Sequence, residues 1–306
     1  MKLITRKMPD DFNLFLMGDD HVGNLLRYEK GFDKFLHMVN SKYKGVKAKH
    51  NYIIHHGDCL EAICVDDPRY DPVTCTEPIP LEQAKMVISN YKKISDKMLT
   101  MLDGNHPHKL HRFGNLTKYI CDELGVEYGT WVAKFIFTDK KGRLMFKTFH
   151  THGRKVINSY CDDAKRRKTN MQLILKRHLR DMDGSVALAA KGHSHRLIVS
   201  GPEPELYITD DGKDVTQAYT LPQYLDKDFA DKKTQKELEK NTKNLYNKDY
   251  IHPDHRWYVN TGSFLKSFEN GVTSYAERGE YNPVELGFAI AEIRNQTIHD
   301  VRPIYL

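Results

Sequence analysis

Ten polar side chains in this chain could do chemistry, and they come in five short groups. Asp19, Asp20 and His21 lie in GDDHVG, Asp58 in HHGDCLE, Asn105 and His106 in DGNHP, His150 and His152 in FHTHG, and His193 and His195 in GHSH. Carboxylate oxygen, amide oxygen and imidazole nitrogen together are the donor set of hard-to-borderline divalent ions. Each group alone is ordinary: an Asp at such a place commonly caps a helix or makes a turn, and a single His is commonly a surface or core residue. A glycine adjoins every group, and glycine lets a tight turn carry side chains past the edge of a sheet. Five such groups in succession point to one metal site rather than to five unrelated turns.

The elements that must position them follow from hydrophobic pattern. NLFLMG (13–18), NYIIHHGD (51–58), LTMLDGNH (99–106), RLMFKTFHTHG (143–153) and SVALAAKGHSH (185–195) each read as a strand running into a polar turn. Amphipathic stretches separate them. Leu25, Leu26, Phe32, Phe35, Leu36 and Val39 share one helical face, and 81–98 and roughly 110–124 read as further helices. Ser159 with Asp162 reads as the start of another helix, with Gly184 as its stop. WVAKFIF, RWYVNTGSF, LGFAIAEI and QTIHDVRPIYL are expected to add strands. This alternation predicts an α/β fold, and in open α/β sheets ligands bind beyond the carboxyl ends of the strands. The segment 201–256 differs in kind. It is rich in Lys, Asp, Glu and Asn, and reads as an inserted surface lobe, helical around 228–247, rather than as core.

The five groups, in their order, resemble the motifs of the calcineurin-like metallophosphoesterase superfamily: D-x-H, G-D, G-N-H, a histidine before glycine, and G-H-x-H. This chain has DDH at 19–21, GD at 57–58, GNH at 104–106, HG at 152–153 and GHSH at 192–195, and VNTGSF (259–264) resembles the N-x-G-S stretch that follows the last motif. The resemblance implies a four-layer α/β/β/α sandwich, with 1–306 forming one domain and 201–256 an inserted lobe or cap. It implies two divalent ions, manganese favoured, with iron, zinc, nickel or magnesium also compatible. Asp19, His21, Asp58 and His195 would hold one ion. Asp58, bridging, with Asn105, His152 and His193 would hold the other. A bridging anion offsets the repulsion of two dications about 3.5–4 Å apart, and the implied nucleophile is a bridging hydroxide attacking phosphorus in line. His106 would stabilise or protonate the leaving oxygen.

Three positions need more than the motif. His150 and His152 are two apart on a strand and so point the same way; His152 is taken as the ligand because it precedes Gly153. Asp20 and His56 adjoin ligands and read as turn or supporting residues. After G-N-H the superfamily usually has an acidic residue that orients the histidine, and Pro107 stands there instead. Asp103, Asp67 or a backbone carbonyl is the expected substitute.

Composition bears on the substrate. Hydrophobic residues are 40% and charged residues 29%, as in a folded soluble protein. No apolar run is long enough to cross a bilayer, no membrane-surface stretch stands out, and the start lacks the apolar core of a signal peptide. With five cysteines and no CxxC spacing, reduced thiols in the cytoplasm are expected. The net charge is +6, yet residues 140–180 hold thirteen Lys or Arg against two acidic residues, a local excess of +11. Arg154 and Lys155 follow a proposed ligand directly, and Arg166 and Arg167 lie within the run Lys165–Lys168, so these four are candidate contacts to a polyanion. Four consecutive residues cannot all face one way on a helix. Tyr207, Tyr219, Tyr224, Tyr246 and Tyr250 offer rings for base stacking or for local packing. The favoured expectation is a phosphodiesterase acting on nucleic acid or nucleotides, nuclease-like. The alternatives are a phosphomonoesterase, including a protein phosphatase, and a non-catalytic interaction scaffold that kept the fold.

Overall fold

The computed structural model describes residues 1–220 and 232–306. Strands β1 (Lys2–Lys7) and β2 (Phe12–Met17) lead into α1 (Glu29–Val39), β3 (Asn51–His55), α2 (Pro80–Tyr91), β4 (Met98–Met101), the single turn α3 (Asn105–His108) and α4 (Leu116–Leu124). Next come β5 (Val132–Thr138), β6 (Leu144–Thr151), α5 (Ala164–Leu179), β7 (Leu188–Lys191) and β8 (Leu197–Ser200). The remainder is β9 (Leu206–Asp210), β10 (Val215–Tyr219), α6 (Lys232–Tyr246), β11 (Trp257–Thr261), the single turn α7 (Tyr275–Arg278), β12 (Gly287–Arg294) and β13 (Thr297–Tyr305).

Two mixed sheets result, one ordered β13-β12-β2-β3-β4 and the other β1-β5-β6-β7-β11-β8, with β9 and β10 pairing separately. β2, β3 and β4 run parallel, and so do β6, β7 and β11. Parallel neighbours send their outgoing loops to one edge. The segments bearing Asp19, Asp58 and Asn105 therefore emerge together from the first sheet, and those bearing His152 and His193 from the second.

Period-two alternation sorts the strand side chains. Leu14 and Leu16 of β2 join Phe135 and Phe137 of β5 and Val259 of β11 in one buried cluster made of residues from both sheets. Phe15 and Met17 turn the other way, against Phe32, Phe35 and Val39 of α1, Val87 of α2 and Ile120 of α4. A third cluster joins Phe149 and Tyr258 of the second sheet to Leu175 and Leu179 of α5. The protein is thus a mixed α/β fold in which both sheets carry helices.

Some boundaries differ from the sequence expectation. α1 starts only at Glu29, leaving Leu25 exposed in the preceding loop. α5 is capped by Asp163, whose carboxylate accepts from the Arg166 N–H at 2.7 Å, rather than by Ser159; a carboxylate beside the first turn meets the unpaired amides directly. It ends at Leu179, short of Gly184. β1 and β8 were not foreseen. β1 (KLITRK) is an edge strand with charged residues at both ends and Ile4 alone buried.

The segment 201–256 proves to be of two kinds. The β9–β10 hairpin is largely exposed. α6, helical over 232–246, instead sets Tyr246 against Phe146, and Tyr246 and Ile251 are fully buried in the cluster between the sheets. A few apolar side chains in a charged stretch suffice to dock a helix, because its opposite face stays in water. Tyr224 and residues 228–231 lie outside the described residues. All five cysteines are free thiols, and no helix among the described residues is long and apolar enough to cross a membrane.

Candidate metal centre

The loop after β2 is held by its neighbours at nearly every polar atom. Asp19 N–H donates to Gly57 O (2.9 Å), and Asp19 O accepts from the Ser263 hydroxyl (2.8 Å) and from Phe264 N–H (3.1 Å). Its carboxylate accepts from His193 N–H at 2.9 Å. Asp58 accepts from His106 N–H at 2.9 Å. Such cross-bracing allows strain. Asp19 (φ 53°), His21 (46°), Asp58 (51°), His193 (73°) and His195 (53°) all adopt the left-handed region, where side chains other than glycine are uncommon and cost about 1–3 kcal/mol each. Gly104 is needed for a different reason: a Cβ there would lie 2.0 Å from Asp58 Oδ1.

The braced loops gather two groups of donors, Asp19 with His21 and His195, and Asp58 with His152 and His193. All six residues but His193 and His195 are buried, and those two are partly so. Asn105 joins the second group, its Oδ1 being 2.7 Å from His193 Nδ1 and 2.8 Å from His152 Nε2.

Hydrogen bonds behind the rings decide which atoms face inward. His152 Nδ1–H donates to His56 O (2.7 Å), so Nε2 is turned toward Asn105 Oδ1 and toward Asp58 Oδ2 at 3.2 Å. His21 Nδ1–H donates to Glu61 Oε2 (2.7 Å), so its Nε2 faces His195 Nε2 at 3.2 Å. Ring nitrogens aimed at one another or at acceptor oxygens repel unless a proton or a cation lies between them. An ion with bonds of about 2.0–2.1 Å in tetrahedral geometry sets its donors about 3.4 Å apart. The observed spacings of 3.2 Å (His21–His195), 3.2 Å (His152–Asp58) and 3.6 Å (His195–Asp19) match that edge. The donor set therefore fits divalent ions.

Electrostatics favour the ligating form at two of the histidines. Burial and the nearby His152 push His193 down to about 4, and burial with His21 holds His195 well below its ordinary value. Both rings stay neutral at physiological pH, the form that ligates metal. Burial opposes charge on His21, but the hydrogen bond and charge of Glu61 outweigh it and raise the ring to about 9. Burial raises Asp19 to about 6, the Asp58 charge adding to it.

His106 stands beside these groups, its ring 4.6 Å from that of His21. Its Nδ1–H donates to the Glu61 carbonyl at 2.5 Å. Of the three substitutes for the missing acid after G-N-H, the backbone carbonyl is the one in place. Asp103 instead meets His108 and His111, and Asp67 is paired with Arg69. Asp20 turns away from the donors, accepting from Tyr91 OH (2.8 Å) and His55 Nε2 (3.2 Å). His150 and His56 hydrogen-bond to each other behind the site at 2.9 Å.

Compared with solved structures, the chain aligns with a conserved uncharacterized protein described as a predicted phosphoesterase, from Streptococcus pneumoniae TIGR4. Identity is 11%, 97% of this chain and 98% of that one are covered, and the TM-score is 0.28. That likeness is too weak to carry an argument. No protein-family model and no curated protein matches the chain. The chemistry rests on the side chains.

The four basic residues singled out in the sequence separate. Arg154 lies over the Trp131 ring, 5.1 Å from its centroid, and Trp131 in turn touches the His152 ring, so Arg154 is beside the donors. Lys155 follows it, exposed, its carbonyl accepting from Lys191 Nζ. Arg167 is turned back onto Cys161 O (2.9 Å), and Arg166 is exposed in the first turn of α5. None of the four lines the cavity over the donors, which measures about 480 Å³. It is lined by His21, Asp58, His106 and His195 and by Pro68, Arg69, Tyr70, Tyr275 and Arg278, with Arg278 paired to Asp71 at 3.2 Å. No described residue of 201–256 lines it.

Sequence reasoning missed Glu61, Arg69, Tyr275 and Arg278. Glu61 stood three residues after Asp58 and could have been noticed. Arg69 lies on a loop without periodicity, and Tyr275 and Arg278 on the single turn α7, too short to show a helical pattern.

Proposed function

We propose that the protein is a dinuclear-metal phosphoesterase of the calcineurin-like type, a phosphodiesterase acting on nucleotides or on the end of a nucleic-acid chain. The observation that carries this reading is the convergence of seven donors from five loops, with ring nitrogens turned inward by hydrogen bonds behind them. Asp19, His21 and His195 would hold one ion, Asn105, His152 and His193 the other, with Asp58 shared between them. The two sheets with one apolar cluster between them and helices outside support the four-layer α/β/β/α sandwich.

Two divalent ions, manganese favoured, would supply Lewis acidity toward the phosphoryl oxygens and lower the pKa of a water molecule. The protein's own residues do the remainder. Glu61 and the His56 carbonyl hold the His21 and His152 rings with Nε2 inward. His106, whose Nδ1–H is held by the Glu61 carbonyl, leaves Nε2 without a hydrogen-bond partner among the described residues, and in the imidazolium form Nε2–H would donate to the leaving oxygen. A cavity of about 480 Å³ falls within the range of small-molecule sites, and Arg69, Arg278, Tyr70 and Tyr275 on its walls suit a nucleotide's second phosphate and base. Hydrolysis of bis-p-nitrophenyl phosphate and p-nitrophenyl phosphate, with Mn²⁺ and with chelator, tests the proposal. Chelator-sensitive turnover favouring the diester is expected. Turnover of the monoester alone would replace it with a phosphomonoesterase.

A further inference from the structure

A second cluster of metal-type donors lies outside this centre. Asp103, His108 and His111 bring one carboxylate oxygen and two ring nitrogens within 4.8 Å of one another. None of the three is used by the proposed reaction.

Asp103 is buried, and its two oxygens are differently engaged. Oδ1 accepts from the Thr117 hydroxyl at 2.9 Å and from Gly104 N–H at 3.0 Å, which fixes the carboxylate plane. Oδ2 accepts from the Tyr128 hydroxyl at 3.4 Å and faces the two rings, 3.4 Å from His108 Nδ1 and 2.8 Å from His111 Nε2. The first spacing equals the roughly 3.4 Å edge of a tetrahedral ion with bonds of about 2.0–2.1 Å.

The second observation concerns direction. His111 Nε2 is shut off from solvent and makes no hydrogen bond, although Asp103 Oδ2 is only 2.8 Å away. The oxygen lies off the nitrogen's donor axis, so the pair is not a simple hydrogen-bonded ion pair. A buried ring nitrogen without a partner is costly, and an ion in front of it removes that cost. The His108 and His111 rings lie 4.3 Å apart between centroids, close enough to share one ion, and His108 is about half exposed.

We propose that Asp103 Oδ2, His108 Nδ1 and His111 Nε2 form a separate mononuclear site for a borderline divalent cation, zinc being the ion best suited to one oxygen and two imidazoles. Its open position faces solvent on the His108 side. An ion here ties the segment that follows Asn105 and His106 back onto Asp103, so it steadies two residues of the main centre without touching them. Trp131 connects the two places, meeting His108 at 5.4 Å and His152 at 5.5 Å between ring centroids.

The test is zinc content by plasma emission, on full-length protein stripped of metal and then gel-filtered from excess zinc. Wild type, His108→Ala, His111→Ala and Asp58→Ala are compared. His108→Ala and His111→Ala are each expected to lose one equivalent relative to wild type, while Asp58→Ala keeps the equivalent that those two lose. If the main centre binds no metal, wild type carries a single zinc that His111→Ala removes and Asp58→Ala does not, so the two readings fail separately. Zinc content in both histidine variants equal to wild type overturns the proposal. His108 is half-exposed, so its variant is expected to fold, and an unchanged far-ultraviolet circular dichroism spectrum checks this.

Discussion

The edge bearing the donors and the β9–β10 hairpin are built on opposite principles. At the edge, five donor residues sit at positive φ, their backbone and carboxylates are cross-bonded, and a Cβ on Gly104 would collide with Asp58. In the hairpin the side chains are mostly exposed, and a Cβ on Gly212 (φ +85°) would meet nothing within 4 Å. Strain persists only where the surroundings over-determine it. The comparison teaches that the edge is a place where geometry is imposed, and the hairpin one where nothing depends on it.

Perturbing each region should sharpen that contrast. The largest effect is expected at Asp58, which both ions of the proposed centre would share. Asp58→Ala is expected to lower metal-dependent diester turnover by about 10³-fold or more, measured at saturating Mn²⁺. Unchanged turnover would remove the edge's special status. His106→Ala is expected to cost about 10²–10⁴-fold on a diester with a poor leaving group and much less on bis-p-nitrophenyl phosphate, with metal content unchanged. Equal losses on both substrates would contradict its role at the leaving oxygen.

Next comes Glu61→Gln. It removes the carboxylate behind His21 but keeps the carbonyl that orients His106, so metal affinity should fall about 10–100-fold with little change in the leaving-group dependence. The smallest pair is a direct comparison of glycines by thermal unfolding. Gly104→Ala is expected to cost about 2–4 kcal/mol because Asp58 must move, and Gly212→Ala about 1 kcal/mol from its backbone conformation alone. Equal costs would mean that the edge is no more constrained than the hairpin.

The same contrast explains what could be read from sequence. The donors were legible because a strand end, a glycine and a metal-type side chain recur five times within short windows. That His152 rather than His150 joins the gathered side chains was legible from Gly153 alone. The walls of the cavity were not, since Arg69 on a loop and Tyr275 on the single turn α7 are more than 200 residues apart and neither segment is long enough to show a periodic pattern. β1 was hidden because an edge strand with charged residues at both ends and one buried side chain looks like a solvated segment. α6 was read as surface because Tyr246 and Ile251 are the few apolar anchors in a charged stretch, and whether they dock depends on a groove elsewhere in the chain. The candidate site lies in local chemistry, and the substrate in long-range packing.

The central claim is that the edge holds two divalent ions side by side. Electron paramagnetic resonance of the Mn²⁺-loaded protein tests it most directly, using His111→Ala to remove the separate site. Two ions about 3.5–4 Å apart sharing a ligand should give the many-line spectrum of an exchange-coupled pair, lost in Asp58→Ala. An isolated six-line signal, or no bound manganese, would contradict it.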